Sequence, residues 1–415
     1  MQNAGPVAIV GAGIAGLTAA LCLAGQGFET EIFEQADALK EVGAGLQLSP
    51  NASRILIELG LLPALESVWS EPDSIALVDG HSLRSLASVP IGARARNRWA
   101  APYGVLHRAS LQKILFDAVI AEPRCRVHLG CRIESEPEAA INRSMMRRPQ
   151  VIVGADGIWS QTRVSIPGAG AVRFSGNIAW RMMLPGAEAT ACLSVDRVTA
   201  FLGPNAHLVA YPIKEIGGFN LVAIVGGEAA DSVWIGKDSE DRRRELAAAF
   251  DGWHPKLREL LTRATAATYW PLCTVDDGAW HDGARTILIG DAAHAMTPFA
   301  AQGAAMAIED ARELAQCLAE AQDIPSAFAG YDRARRSRID RVRKRAAFNR
   351  FAYHARGPVR LGRDLVLALK GPEALAADLD WLYGYGAAAS SQIVADLRMK
   401  TCRNSKCYSD LSASD

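Results

Sequence analysis

A chain of 415 residues, 49% of them hydrophobic, carries ample apolar material for a core and is long enough for two domains or one elaborated domain. Lysine plus arginine equals aspartate plus glutamate at 45 each, so no global field draws the chain toward nucleic acid or an anionic membrane. Eight scattered cysteines form no CxxC pair and have no histidines at zinc-ligand spacing; they read as reduced thiols in a cytoplasmic protein without a metal site.

The N-terminal apolar run lacks a basic n-region and is broken by Gly11, Gly13 and Gly16, which argues against a signal peptide or membrane span. "VAIV" (7–10) reads as a buried strand, "GAGIAG" (11–16) as a tight turn, and "LTAALCLAGQG" as a helix ending at Gly27. A second strand, "ETEIFEQ", ends near Glu34, about where a dinucleotide fold places its ribose-binding acid. Glycines in such a turn let the backbone approach a pyrophosphate held at the helix N-terminus. The spacing does not choose between NAD and FAD.

Further along, "GAGLQLSPNASRIL" (43–56) predicts a glycine-rich turn and a helix capped by Ser49 or Asn51. "SIALVDGHSLRSLASVPIG" contains an Asp79-Gly80 hairpin signal. "HRASLQKILFDAVI" (107–120) begins a helix with Arg108 just before it, and "VIVGADGIWSQTR" (151–163) is a strand ending in small residues and Asp156. From 172 onward "VRFSGNIAWRMMLP", "TAFLGP", "HLVAYPI" and "FNLVAIVGG" predict a mostly antiparallel sheet, after which "TYWPLC" (268–273) leads back. "ILIGDAAHAM" (287–296) is an apolar strand that stops on a glycine, Asp291 and small residues. A proline- and glycine-rich turn then enters a helix around Gln302 to Ala307. Small residues there let a flat ligand lie against the backbone, and a strand-end carboxylate can hydrogen-bond a polyol; taken alone, Asp291 reads as a turn cap. Residues 303–355 are predicted helical, with "DRARRSRIDRVRKR" (332–345) as a solvated basic face rather than a nucleic-acid site. The polar last seventeen residues read as a loose tail, within which Cys402 and Cys407 would stay reduced in a cytoplasmic setting.

Together "GAGIAG", Glu34, "HRASLQ", "GADGIWSQTR" and "GDAAHAMTPFAAQGAAMAIEDA" resemble the motif set of the single-component FAD-dependent aromatic hydroxylases, the salicylate and hydroxybenzoate hydroxylase family, over most of residues 6 to about 388. The resemblance implies an α/β fold: a Rossmann-like, three-layer FAD-binding domain of the para-hydroxybenzoate-hydroxylase type, an inserted, mostly antiparallel β-sheet substrate domain, and a C-terminal helical region. The corresponding divisions are 1–72, 98–170 and 276–330 for FAD, 73–97 and 171–275 for the sheet, 331–398 for the helices and 399–415 for the tail. Cofactor contacts are implied at Gly11, Gly13, Ala15, Gly16, Glu34, Gln35, Gly45, Arg108, Gln112, Asp156, Gly157, Asp291, Pro298, Gly303 and Ala304. Among these, Glu34 and the first glycines serve the ADP half, Arg108 the phosphate and ribityl region, Asp156 the cofactor and NAD(P)H, and Asp291 the ribityl chain. Pro298 resembles the proline beside the flavin ring. Family members have no separate nicotinamide domain; they use NAD(P)H transiently and then O2, building a flavin hydroperoxide beside a small aromatic substrate, and by analogy this chain forms a homodimer. No second GxGxxG follows a strand here.

Hydroxylating a phenol calls for a base that titrates near neutrality, because the phenolate is the electron-rich form. By the resemblance His207 is that base, with Tyr211, four residues on, and Gln302 orienting the ring. His207 also has the plain reading of a strand histidine bonded to neighbours. His294, in "DAAH", is implied to be structural. Met182, Met183 and Ala210 depart from common family residues, and Arg181 either meets a substrate carboxylate or stabilises the sheet. The expected activity is therefore NAD(P)H-dependent hydroxylation of a small aromatic or heteroaromatic hydroxy acid. The alternatives are an FAD-dependent reductase or oxidase, a monooxygenase of a larger substrate, and a non-catalytic flavin-binding protein. Incorporation of one atom of labelled oxygen separates a monooxygenase from a reductase or oxidase, and a non-catalytic protein oxidises no NAD(P)H with any aromatic.

Overall fold

The computed structural model describes residues 5–39, 45–134, 137–144, 147–189, 192–228, 236–237 and 240–386. Residues 43 and 44 of the second glycine-rich turn, the final helical residues to 398, and the tail with Cys402 and Cys407 lie outside the described residues.

The chain forms two main sheets. The first is parallel, in the order Thr286–Leu288, Val151–Gly154, Val7–Val10, Thr30–Phe33, Cys125–His128. Its central strands are apolar runs buried on both faces, which is what parallel strands covered by helices require. The helices Ile14–Gly25, Arg108–Ala121 and Gly303–Glu320 pack around it, and all contribute to one continuous core.

The second sheet has eight strands in the order Gly236–Lys237, Thr265–Val275, Val172–Pro185, Gly218–Gly226, Ala206–Ile213, Arg197–Gly203, Ser74–Asp79, Ser85–Pro90. It is antiparallel except where Arg197–Gly203 pairs with Ser74–Asp79. Strand alternation gives it two faces. Ala206, Leu208 and Ala210 turn toward Trp253, Leu257 and Leu260, while Val209 and Tyr211 join the core of the parallel-sheet region. Its second face thus looks toward the glycine turns. The Ser74–Asp79 to Ser85–Pro90 hairpin forms, with a longer loop than an Asp-Gly pair suggests. Asp79 Oδ1 accepts hydrogen bonds from the amides of His81 and Ser82, and positive φ falls at Leu83, not Gly80. Gly80 is small because the Trp253 ring lies 2.3 Å from where a Cβ would stand.

The helix Ile324–Tyr353 runs unbroken through residue 331, so one rod serves both the cofactor region and the C-terminal helices. Its basic run departs from the expected solvated face. Arg336 and Arg341 lie over the rings of Trp280 and Trp381, but Arg335 and Arg338 are buried against carboxylates of the preceding helix. Among the described residues no helix is long and apolar enough to cross a membrane.

Candidate active site

The first glycine turn is shaped by backbone contact. A Cβ on Gly11, whose φ is +103°, would stand 2.6 Å from the Ala155 carbonyl oxygen, and one on Gly16 would stand 1.9 Å from that of Gly11. A Cβ on Gly13, Gly157 or Gly303 would meet nothing within 4 Å, so three stretches of bare backbone border open space. Gly13 precedes the helix Ile14–Gly25 and Gln302 precedes Gly303–Glu320, neither with a side-chain cap; first-turn amides of both helices are left for a ligand. Glu34 folds onto this turn: Oε2 accepts from Ala12 N–H at 2.8 Å and Oε1 from Ala36 N–H at 3.0 Å. Gln112 Nε2 donates to the Ala12 carbonyl at 2.9 Å. Arg108 opens its helix half-buried, and Gln35 is exposed beside Glu34. Ala15 and Ala307 close on Gly290, whose φ of +60° and missing Cβ let both helices approach the end of strand Thr286–Leu288. Ala304, half-buried, lies in the same first turn as Gly303.

The two strand-end aspartates differ. Asp156 is occupied as a turn cap, accepting from Ser160 Oγ at 2.5 Å and the amides of Gln161 and Thr162 at 2.9 and 3.0 Å. Gly157, with φ +73°, is the bare residue of that turn. Asp291 is exposed, and among the described residues its carboxylate accepts no hydrogen bond. Arg163, quoted in the motif but given no task by sequence reasoning, joins the two turns through the carbonyls of Ala292 and Ile158 at 3.1 and 2.7 Å.

Beneath Asp291 lies a buried charge network. Asp310 accepts from the Gly290 amide at 2.8 Å, from His294 Nε2 at 2.6 Å and from Arg335 Nε at 2.7 Å. Burial alone would raise its carboxyl, but these partners outweigh burial and hold it at about 2. Glu309 meets Arg335, Arg338 and Asn51 Nδ2, the last at 2.7 Å, and is likewise held below the usual carboxylate range against the cost of burial. Asn51 also donates to Gln302 Oε1 at 3.2 Å, while Gln302 Nε2 donates to Ser49 Oγ at 3.0 Å. The Gln302 side chain is thereby spent inside the protein, at 2% exposure. Ser49 precedes the helix Pro50–Glu58 without capping it by a side-chain hydrogen bond; its hydroxyl and Asn51 serve the network instead.

On the inward face of the large sheet, His207 and Tyr211 share one strand side. His207 is fully buried against the rings of Phe299 and Tyr353, with centroids at 5.2 and 5.4 Å. Its Nδ1 lies 2.9 Å from His354 Nε2, and among the described residues no hydrogen bond reaches its Nε2. Burial first, then the neighbouring His354, pushes its basicity well below the ordinary histidine value. Phe299 follows Pro298 in the short turn ahead of Gln302. Tyr211 packs under Gly45, where a Cβ would stand 2.6 Å from its ring. The Gly45 amide donates to Asn220 Oδ1 at 2.8 Å, and Asn220, paired across the sheet with Tyr211, keeps a buried Nδ2 that has no partner among the described residues. Burial raises the Tyr211 phenol, opposed by the charge of Arg181, whose guanidinium lies 5.1 Å from the Trp270 ring centroid. Asn220 and His354 escaped sequence reasoning because neither sits in a motif. Asn220 was legible only as a polar residue in an apolar strand, "FNLVAIVGG".

Residues 5–346 match the family model described as an FAD binding domain. The chain is 34% identical over 386 residues, 91% of its length and 97% of the relative's, to 3-hydroxybenzoate 6-hydroxylase 1 of Aquipseudomonas alcaligenes. It is 35% identical over 390 residues, 92% and 96% of the two chains, to a 3-amino-4-hydroxybenzoate 2-monooxygenase of Streptomyces platensis. Klebsiella pneumoniae HpxO, solved with FAD and uric acid, shares the fold at a TM-score of 0.77 and 21% identity, covering 92% of this chain and 97% of that one. The bare glycine backbones, uncapped helix ends and strand-end carboxylates fit the phosphates and polyol of FAD, and the chain belongs to the FAD-binding-domain family as a flavoprotein monooxygenase of the aromatic hydroxylase type.

Proposed function

We propose that this enzyme hydroxylates a small aromatic or heteroaromatic hydroxy acid, such as a hydroxybenzoate, consuming NAD(P)H, a proton and O2 and producing NAD(P)+, water and the hydroxylated ring. The names of its curated relatives support that substrate class. The observation that carries the catalytic reading is His207: a buried, neutral imidazole anchored at Nδ1 by His354, beside Phe299 of the Pro298–Ala300 turn, with no hydrogen bond at Nε2 among the described residues.

FAD bound here would supply the redox chemistry that couples NAD(P)H oxidation to insertion of one oxygen atom from O2 into the ring. Gly11, Gly13, Gly16, Glu34, Gln35 and Gln112 hold its adenosine and pyrophosphate side, Arg108 its phosphate and ribityl region, and Gly45, Gly157, Asp291, Pro298, Gly303 and Ala304 its ribityl and ring side. His207 takes the proton from the substrate hydroxyl through Nε2, raising electron density on the ring. Tyr211 and the free Asn220 Nδ2 orient the substrate, with Arg181 nearest in charge to its carboxylate. Gln302 acts through Ser49 and Asn51 to set the turn before its helix. Asp156 acts through its turn.

The deciding experiment measures NADH and NADPH oxidation by the flavin-loaded protein across hydroxybenzoates, salicylate, hydroxynicotinates and phenols, with product mass after turnover in labelled oxygen. Stimulation with one oxygen atom incorporated is expected. Stimulation without incorporation would make the reaction with that compound a reduction or an uncoupled oxidation.

A further inference from the structure

We propose that His354 is the outer half of a two-histidine proton path, passing the proton that His207 takes from the substrate hydroxyl to water in a cavity at the C-terminal end of the Ile324–Tyr353 helix. The inference rests on His207 being the base. Its own support is geometric. The two rings meet through Nδ1 and Nε2 at 2.9 Å. His354 lines a cavity of about 840 Å3 together with Asn205, Asp276, Arg350 and Arg356, and His207 does not line it. A fully buried base with no hydrogen bond at Nε2 among the described residues therefore reaches this space through one neighbour.

His354 is firmly held. Its amide donates to the Arg350 carbonyl at 3.1 Å, its own carbonyl accepts from Asn205 N–H at 3.5 Å, and its ring meets Phe299 edge-on at 5.4 Å between centroids. The charged and titratable groups around it are His207 on the sheet, Arg343, Arg350 and Tyr353 on its own helix, Arg356 just beyond that helix, and Asp276 and Asp277 across the cavity, where Arg343 pairs with Asp277. Burial and then Arg350 hold its imidazole at about 4, so neither ring keeps a proton at neutral pH and the pair conducts charge instead of storing it.

As the substrate O–H bond breaks, its proton joins His207 Nε2. The proton on His207 Nδ1 moves to His354 Nε2, and that on His354 Nδ1 leaves to water. Both rings end neutral in the opposite tautomer. The reverse flow, when the product oxygen is reprotonated, restores them.

The test uses the flavin-loaded full chain with oxidised FAD and no reductant, mixed with 3-hydroxybenzoate, following phenol ionisation by its ultraviolet change in stopped flow. His354→Gln preserves an acceptor for His207 Nδ1 but cannot take up one proton and release another. It is expected to slow ionisation about tenfold or more while FAD and 3-hydroxybenzoate still bind. His354→Ala is expected to be equally slow and to recover with added imidazole. Wild-type ionisation in His354→Gln, with His207→Gln inactive, would remove the path and leave His207 as the base. Wild-type ionisation in His207→Gln would remove both. A slow His354→Ala that imidazole does not restore, beside a fast His354→Gln, would make His354 a positioning residue only.

Discussion

His207 shows how environment assigns a task to an ordinary side chain. A histidine in water titrates near 6.5, but this ring lies in an apolar setting beside a second imidazole, so its charged form is disfavoured. The base expected to titrate near neutrality is therefore depressed below it by burial, and the ring is neutral, able to accept a proton, at neutral pH. The acid limb of kcat/KM is accordingly expected below 6.5, and a pH profile with its lower inflection at or above 6.5 would remove His207 from that role. His207→Gln should lower the hydroxylation rate by about 10²–10⁴ with FAD retained, the range a single general base supplies. For Asn220, a buried amide with one unpaired donor, substitution by Ala should weaken substrate binding by about 1–3 kcal/mol, read by titrating the bound flavin spectrum. Unaltered binding would show that the donor meets no substrate. The sequence pointed to His207 and Tyr211 only through a family pattern. Asn220 shows its meaning once Gly45, 175 residues away, is seen to occupy its carbonyl side.

Among elements, the helix pair Gly303–Glu320 and Ile324–Tyr353 matters most. The hydrophobic pattern and the proline and glycine before Gly303 made both helices legible. The basic run misled because spacing cannot tell whether an arginine meets water or a buried carboxylate on the next helix. Glu309 and Asp310 supply those carboxylates, so Arg335 and Arg338 are interior groups. Removing one partner of a buried pair leaves an uncompensated charge, and Arg335→Met is expected to cost about 3–5 kcal/mol in thermal or urea unfolding. A loss below about 1 kcal/mol would show that the network carries no stability. The pH dependence has a definite sign. Asp310, at about 2 when folded against 3.8 for the free group, contributes stability that is present above 3.8 and lost as pH falls toward 2. The His207 and His354 rings, depressed from 6.5 when folded, protonate first in the unfolded chain, so stability also declines as pH falls below 6.5. Melting curves of His207→Gln and His354→Gln should flatten the upper window and leave the lower one unchanged.

Across the whole molecule, the helix Gly357–Leu369 has no buried residue and presents Leu361, Leu365 and Leu369 in one exposed row. Such a row suits a second copy of the chain. We propose a homodimer through it; Leu365→Glu should shift the mass in light scattering from dimer to monomer, and a wild-type monomer would remove the proposal. What the sequence by itself determined is the part that local physics controls. The glycine turn, the apolar strands that end on small residues, the helix starts and the alternating strands of the sheet follow from φ restrictions and hydrophobic period within a few residues of each other. Only the tertiary structure decided that Asp156 caps its own turn while Asp291 accepts no hydrogen bond among the described residues, that Gln302 turns inward to Ser49 and Asn51, and that His207 meets His354, 147 residues further on. Each of those outcomes depends on which distant partner satisfies a buried polar group, and no local pattern encodes that partner.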